Sequence, residues 1–143
     1  MTVALLDDHL LRDLLAGDPG AELAELLGDH EPATTNHYLY RLCKSVVAAS
    51  GGALTGSWPA ARRQELGRRL LALPNGVRVV PMRQLAYRMA EIATTGRLST
   101  LGAEAVAAAQ DLNAPLCVWQ GDDGPAIRLA FISTGMEYRT LNR

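Results

Sequence analysis

The sequence predicts an α/β fold: three layers, α/β/α, around a central, mainly parallel sheet of about five strands. Three observations predict it. Short apolar runs alternate along the chain with longer stretches whose apolar residues recur at helical spacing. Most of the short runs are apolar throughout, the pattern of a strand covered on both faces. Each is followed by enough chain for the helical crossover that parallel neighbours require.

The elements follow in order. Thr2-Val-Ala-Leu-Leu6 is a buried strand that stops abruptly at Asp7-Asp8-His9. From His9 to Ala16, Leu10, Leu11, Leu14 and Leu15 mark a helix, and Gly17-Asp18-Pro19-Gly20 terminates it. Leu23, Leu26 and Leu27 mark a second helix before Gly28. Pro32 to Thr35 is a brief strand, and Asn36 is the predicted N-cap of a helix from His37 that carries Leu39, Leu42, Cys43, Val46 and Val47 on one side. Ser50-Gly51-Gly52 reads as a loop. Ser57 is the predicted N-cap of the next helix, with Pro59 near its start, an apolar stripe of Leu66, Leu70, Leu71 and Leu73, and a stop at Pro74-Asn75-Gly76.

Val77 to Val80 form a β-branched strand, and helices follow over about 82–95 and 101–112, parted by Thr94-Thr95-Gly96. Pro115-Leu116-Cys117-Val118 is the fourth strand, closed by Gly121-Asp122-Asp123-Gly124. Pro125 to Thr134 forms a last helix that Gly135 stops, and Met136 to Leu141 alternates like an edge strand.

With 143 residues, 48% of them hydrophobic, the chain can bury one core, so residues 1–143 are expected to be a single domain. Fourteen Lys and Arg against 15 Asp and Glu leave a net charge of -1, which excludes whole-molecule attraction to nucleic acid or membrane. Cys43 and Cys117 lie in apolar surroundings without the spacing of a zinc or redox pair, and read as buried reduced thiols. No apolar run has the ~18 residues that a span requires, and Asp7 and Asp8 interrupt any leader, so the expected location is the cytoplasm.

In parallel sheets ligands bind outside the carboxyl ends of the strands. Those positions hold Asp7-Asp8-His9, Thr35-Asn36, Met82-Arg83 and Trp119-Gln120-Gly121-Asp122-Asp123. The first and last sets are acidic. Carboxylates that converge on one point hold Mg²⁺ or Mn²⁺ for phosphodiester hydrolysis, so the question is how many of them converge.

Three passages together resemble a PIN domain, the fold of many toxin-type endoribonucleases, along nearly the whole chain. VALLDDHLLRDLLAG resembles the family's strand ending in Asp and followed by a short helix. GRLSTLGAEAVAAAQDLNAPLCVWQ resembles its Ala-rich helix, Ala-Pro-Leu and next strand, and AIRLAFISTGMEYRTL its closing helix, Gly and edge strand. The resemblance puts Asp7 at the first acidic position. At the other three, the chain has Arg41 on the helix after strand two, Gly102 at the start of the Ala-rich helix and Gln120 after strand four. Arg41 is therefore expected to pair with Asp7 and take the place of a cation, in a pocket shared with Asn36 and Gln120.

Two functional readings follow from the resemblance. In the first, the degraded acid set holds no metal or other cofactor, nuclease chemistry is lost, and the domain acts by binding a protein or RNA partner. In the alternative, the chain is a Mg²⁺- or Mn²⁺-dependent endoribonuclease of the toxin–antitoxin type, using Asp7 with Asp8, Asp122 or Asp123, and Glu104. The resemblance also implies a possible homodimer. The bland expectations stand beside these: Asp8, Glu104, Asp122 and Asp123 as solvated acids, Asp7 as a helix cap, and His9 and His37 as polar boundary residues. Likewise Arg62, Arg63, Arg68 and Arg69 read as a solvated helix face rather than a track for RNA phosphates, and Trp119 as an aromatic closing the core edge rather than a base-stacking platform.

Overall fold

A computed structural model of the chain describes residues 2–48, 50 and 52–143. The strands are β1 (Thr2–Leu6), β2 (His30–Thr35), β3 (Arg78–Val80), β4 (Leu116–Trp119) and β5 (Tyr138–Leu141). All neighbours pair in parallel, in the order β3-β2-β1-β4-β5. The helices are α1 (Asp8–Leu15), α2 (Gly20–Asp29), α3 (Asn36–Val47), α4 (Gly52–Thr55), α5 (Ala60–Leu71), α6 (Met82–Thr95), α7 (Thr100–Leu112) and α8 (Pro125–Ser133).

The alternation of side chains along each strand sorts the core into layers. Leu5, Ala33, Val80, Leu116 and Val118 face α6, α7 and α8, where Leu85, Ile92, Val106 and Phe131 meet them. Ala4, Leu6, Cys117, Trp119 and Leu141 face Leu10 of α1 and Leu23 and Leu26 of α2. A third apolar cluster joins Leu11 and Leu15 of α1 to Leu42, Leu54 and Leu66, so that α3, α4 and α5 pack on α1.

The strand order places the site. The chain builds outward from β1 through β2 to β3, then returns to the other side of β1 for β4 and β5. The direction reverses between β1 and β4, whose carboxyl ends carry the two acidic sets, and such a reversal opens a crevice where α/β proteins bind ligands.

Beyond shifts of one or two residues at strand ends, local boundaries differ from expectation at four points. Thr35, not Asn36, caps α3: its extended backbone continues β2 while its Oγ1 accepts from Tyr38 N at 3.1 Å. Ser57 caps nothing, because a turn closed by Trp58 N on Thr55 O delays α5 until after Pro59. Within the expected glycine loop, Gly52 already opens the short helix α4, while Gly51 lies outside the described residues. Gly28 lies inside α2 rather than ending it.

Candidate functional site

Asp7 is the last residue before α1 and serves as its cap, with Oδ1 accepting from Leu10 N at 2.9 Å. Its own N–H reaches Cys117 O at 3.4 Å, which ties the end of β1 to β4. The carboxylate is buried, and the loss of water pushes its pKa above the usual range. The contact with His9 opposes that shift and the neighbouring Asp8 reinforces it.

Asp8 turns the other way. It is 2% exposed, and Oδ1 accepts both His9 N at 3.0 Å and His9 Nδ1 at 3.1 Å. Arg41 Nη1 stands 3.2 Å from Oδ2 but is not aligned for a hydrogen bond, so Oδ2 has a cationic neighbour and no hydrogen-bond donor. The expected Asp7–Arg41 pair is thus corrected to Asp8–Arg41. The reason is local: Asp7 is spent on capping α1, whereas Asp8, one residue into the helix, faces α3.

His9 stands at the centre of this arrangement. Nδ1 lies 3.1 Å from Asp8 and 3.8 Å from Asp7, and Nε2 lies 3.5 Å from Asp122 Oδ1. Burial alone would lower its pKa. The contacts with Asp7 and Asp8 outweigh burial and raise it to about 9, so the ring is an imidazolium at neutral pH. The same two carboxylates, after burial itself, hold the Tyr38 hydroxyl well above its ordinary pKa.

Glu104 is fully buried and not solvated. From α7 it accepts His37 N at 3.0 Å, Asn36 N at 3.3 Å and Asn36 Nδ2 at 3.4 Å. With Thr35 on Tyr38 N, the first three N–H groups of α3 all have acceptors, and the carboxylate meets the positive end of the helix dipole. Asn36 also donates to Val80 O at 2.8 Å, which fixes β3 beside β2. Glu104 is therefore committed to α3, and its expected solvation is corrected together with that of Asp8.

Asp123 is drawn away from the centre. It binds Arg128 at 2.6 Å and the Tyr138 hydroxyl at 2.7 Å, and Arg128 foremost holds its carboxyl below the usual range. Asp122 stays at the site through His9, while Gln120 is exposed on the rim of a polar cavity of about 640 Å³ beside His9, Arg12 and Arg143. Gly102, in the place of a further acid, is enclosed by Leu98 and Ile127. Trp119 is 3% exposed, as an aromatic of the core edge, and donates Nε1 to Asp13 at 2.8 Å. Cys117 is buried and Cys43 only half-buried, both as free thiols.

Two features escaped the sequence reading. The position of His9 follows from the first turn of a helix: residues that open it fan around its N-terminus, so Asp7, Asp8 and His9 converge although they are consecutive. The second is Asp13, a buried carboxylate that gathers Arg12, Trp119 and Arg143 and so clamps α1 to the end of β4. Arg12 carries the clamp on to α4 through Leu54 O at 2.8 Å. The spacing of these residues in sequence holds no signal for it.

Among the described residues, the group that could hold a metal ion is Asp7, Asp8 and His9, with ligand atoms within 4.8 Å of one another. As arranged, the set does not fit a hard divalent cation. Of the four carboxylate oxygens on Asp7 and Asp8, two accept hydrogen bonds from the chain, and His9 and Arg41 supply the positive charge that a metal would bring. No protein-family model matches the sequence, and no curated protein matches it either. The fold is a three-layer α/β/α arrangement with an all-parallel sheet and an acidic centre at its switch point. Among the described residues, no helix is long and apolar enough to cross a membrane.

Proposed function

We propose that this chain is a PIN-like domain whose acidic centre is neutralised from within, that it is catalytically inactive, and that it acts by binding a protein or RNA partner. One observation carries the reading: the His9 imidazolium lies among Asp7, Asp8 and Asp122, where a nuclease of this fold needs room and negative charge for a cation. Arg41 on Asp8 adds a second built-in positive charge. Glu104 supports the reading from the other side, since its carboxylate is occupied by the N-terminus of α3.

The alternative, a Mg²⁺- or Mn²⁺-dependent endoribonuclease of the toxin type, has one observation in its favour. Asp8 Oδ2 is buried without a hydrogen-bond donor, the kind of orphan that metal coordination would satisfy. For that reading, His9 must lose its proton and Arg41 must swing aside. A cleavage assay on structured RNA, with Mn²⁺, Mg²⁺ or EDTA and with Asp7→Ala in parallel, decides between them. No metal-dependent cleavage is expected; cleavage that needs metal and disappears in Asp7→Ala overturns the inactive reading.

A further inference from the structure

The face built by α3 and α5 leaves apolar surface in water. Val47 is 84% exposed and Leu71 is 90% exposed. Between them lies a groove of about 470 Å³ lined by Cys43, Val46, Gly67 and Leu70. Gly67 lets the two helices close at its floor, since a Cβ there would come within 3.3 Å of Val46 Cγ1. A single exposed leucine is ordinary, but a groove with aliphatic residues on its floor and both rims is the kind of patch that marks a binding surface.

Positive charge lies close to the groove, although Arg41 of α3 pairs with Asp8 and Arg62 of α5 reaches Asp18 and stacks on Trp58. α3 and α5 carry six of the chain's 14 Lys and Arg and one of its 15 acids, in a molecule whose net charge is -1. Their single acid, Glu65, is shared between Arg68 and Arg69. Arg63 is committed elsewhere, donating to Val46 O and Ala48 O at the end of α3. Arg68 lines the groove, and Lys44 and Arg69 are exposed on the same two helices.

We infer that this groove receives an amphipathic helix of a protein partner, with aliphatic side chains seated on Val46, Val47, Leu70 and Leu71 and acidic side chains set against Arg68, Arg69 and Lys44. The inference rests on reading the domain as a binding module and narrows its partner to a protein. The 12 residues of α5 rise about 18 Å, so three turns of a partner helix match the surface. RNA fits less well, because bases stack on aromatic rings and the groove lining has none. A second copy fits less well too, because it would set one cationic face against another.

The test uses a fluorescein-labelled helical peptide of about five turns, with Leu along one stripe and Glu beside it, and the same peptide with Lys for Glu. Fluorescence anisotropy should show saturable binding of the Glu peptide and at least about tenfold weaker binding of the Lys peptide. Leu71→Glu and Val47→Glu should each weaken the Glu peptide by at least about tenfold with an unchanged circular dichroism spectrum. Arg68→Glu should weaken the Glu peptide and strengthen the Lys peptide. Amide shifts on titration should map to α3 and α5.

Equal affinity for both peptides, or no binding of either, overturns the inference. So does an RNA oligonucleotide whose binding falls in Arg68→Glu but not in Leu71→Glu, or a dimer in sedimentation that Leu71→Glu dissociates. The RNA cleavage assay separates this failure from that of the inactive reading. Metal-dependent cleavage removes the latter while leaving the peptide result intact, and absent peptide binding without cleavage removes only the groove.

Discussion

The acidic centre and the α3–α5 face differ in how far their groups are satisfied by the molecule itself. At the centre, Asp7, Asp8 and Asp122 are answered by His9 and Arg41, and Glu104 by the first turn of α3. On the α3–α5 face, aliphatic side chains stand in water, and Arg68, Arg69 and Lys44 have one acid of these two helices, Glu65, among them. A site that supplies its own counter-ions gives little to a ligand, whereas a surface with apolar area and charge left over gives both. On the proposed reading, the centre is a structural keystone and the helix face is the surface to test for a partner. The contrast also orders the expected effects of substitution: the more completely a group is answered inside, the more its removal costs.

Glu104→Ala is the sharpest way to test the keystone. It leaves two backbone N–H groups of α3 without their acceptor and opens a cavity in the middle of α7, for an expected loss of about 3 kcal/mol in urea unfolding. Glu104→Gln keeps the shape and an acceptor and should lose clearly less. Equal stability of the wild type and Glu104→Ala would remove the structural role assigned to this carboxylate.

His9→Ala tests whether the imidazolium stands in for a metal ion. Without it, three carboxylates face one another with Arg41 alone to offset them, so stability in EDTA should fall by about 1–3 kcal/mol. Mn²⁺ should restore part of that loss, and titration calorimetry should detect a binding site weaker or absent in the wild type. If the variant gains no affinity for Mn²⁺, the neutralisation argument fails at its main point.

The sign of the pH dependence follows from the same residue. His9 has a folded pKa of about 9 against 6.5 in the unfolded chain, so its contribution is fully present below pH 6.5 and is lost as pH rises toward 9. Asp7 works on the acid side with the opposite sense from a salt-bridged carboxylate. Its raised pKa means that the folded state takes up a proton first, so protonation of Asp7 favours folding as pH falls toward 3.8. The thermal midpoint should therefore drop between pH 6.5 and 9, and the drop should be largely absent in His9→Gln. A flat wild-type profile over that interval would show that His9 is not held charged.

Much of the fold was legible because it is written in local periodicity. Four strands were read from short apolar or β-branched runs and the fifth from the alternation of Met136 to Leu141, and α6 and α7 from helical spacing over about 82–95 and 101–112. Element ends were harder. Thr35 caps α3 next to Asn36, which has equal capping chemistry but is claimed by Val80 and Glu104, while Ser57 falls in a local turn that Trp58 N closes on Thr55 O. At the site, the strand-end rule found Asp7, Asp8 and Asp122. The expected partner of Arg41, Asp7, was wrong, because Asp7 caps α1 and leaves Asp8 to face α3. The burial of Glu104 was hidden for a similar reason: its partner, the start of α3, lies 67 residues away in sequence.

The helix face should respond in the opposite manner to the centre. Leu71→Glu and Val47→Glu alter side chains that make little contact with the rest of the molecule, so each should shift unfolding by no more than about 0.5 kcal/mol. The groove floor sets the other limit. Gly67→Leu would press on Val46 Cγ1 and part α3 from α5, so it should cost more, about 1–3 kcal/mol, despite lying one turn from Leu71. If Leu71→Glu destabilised the chain as much as Gly67→Leu, Leu71 would belong to the packing between these helices, and the surface left over for a partner would end at the rim.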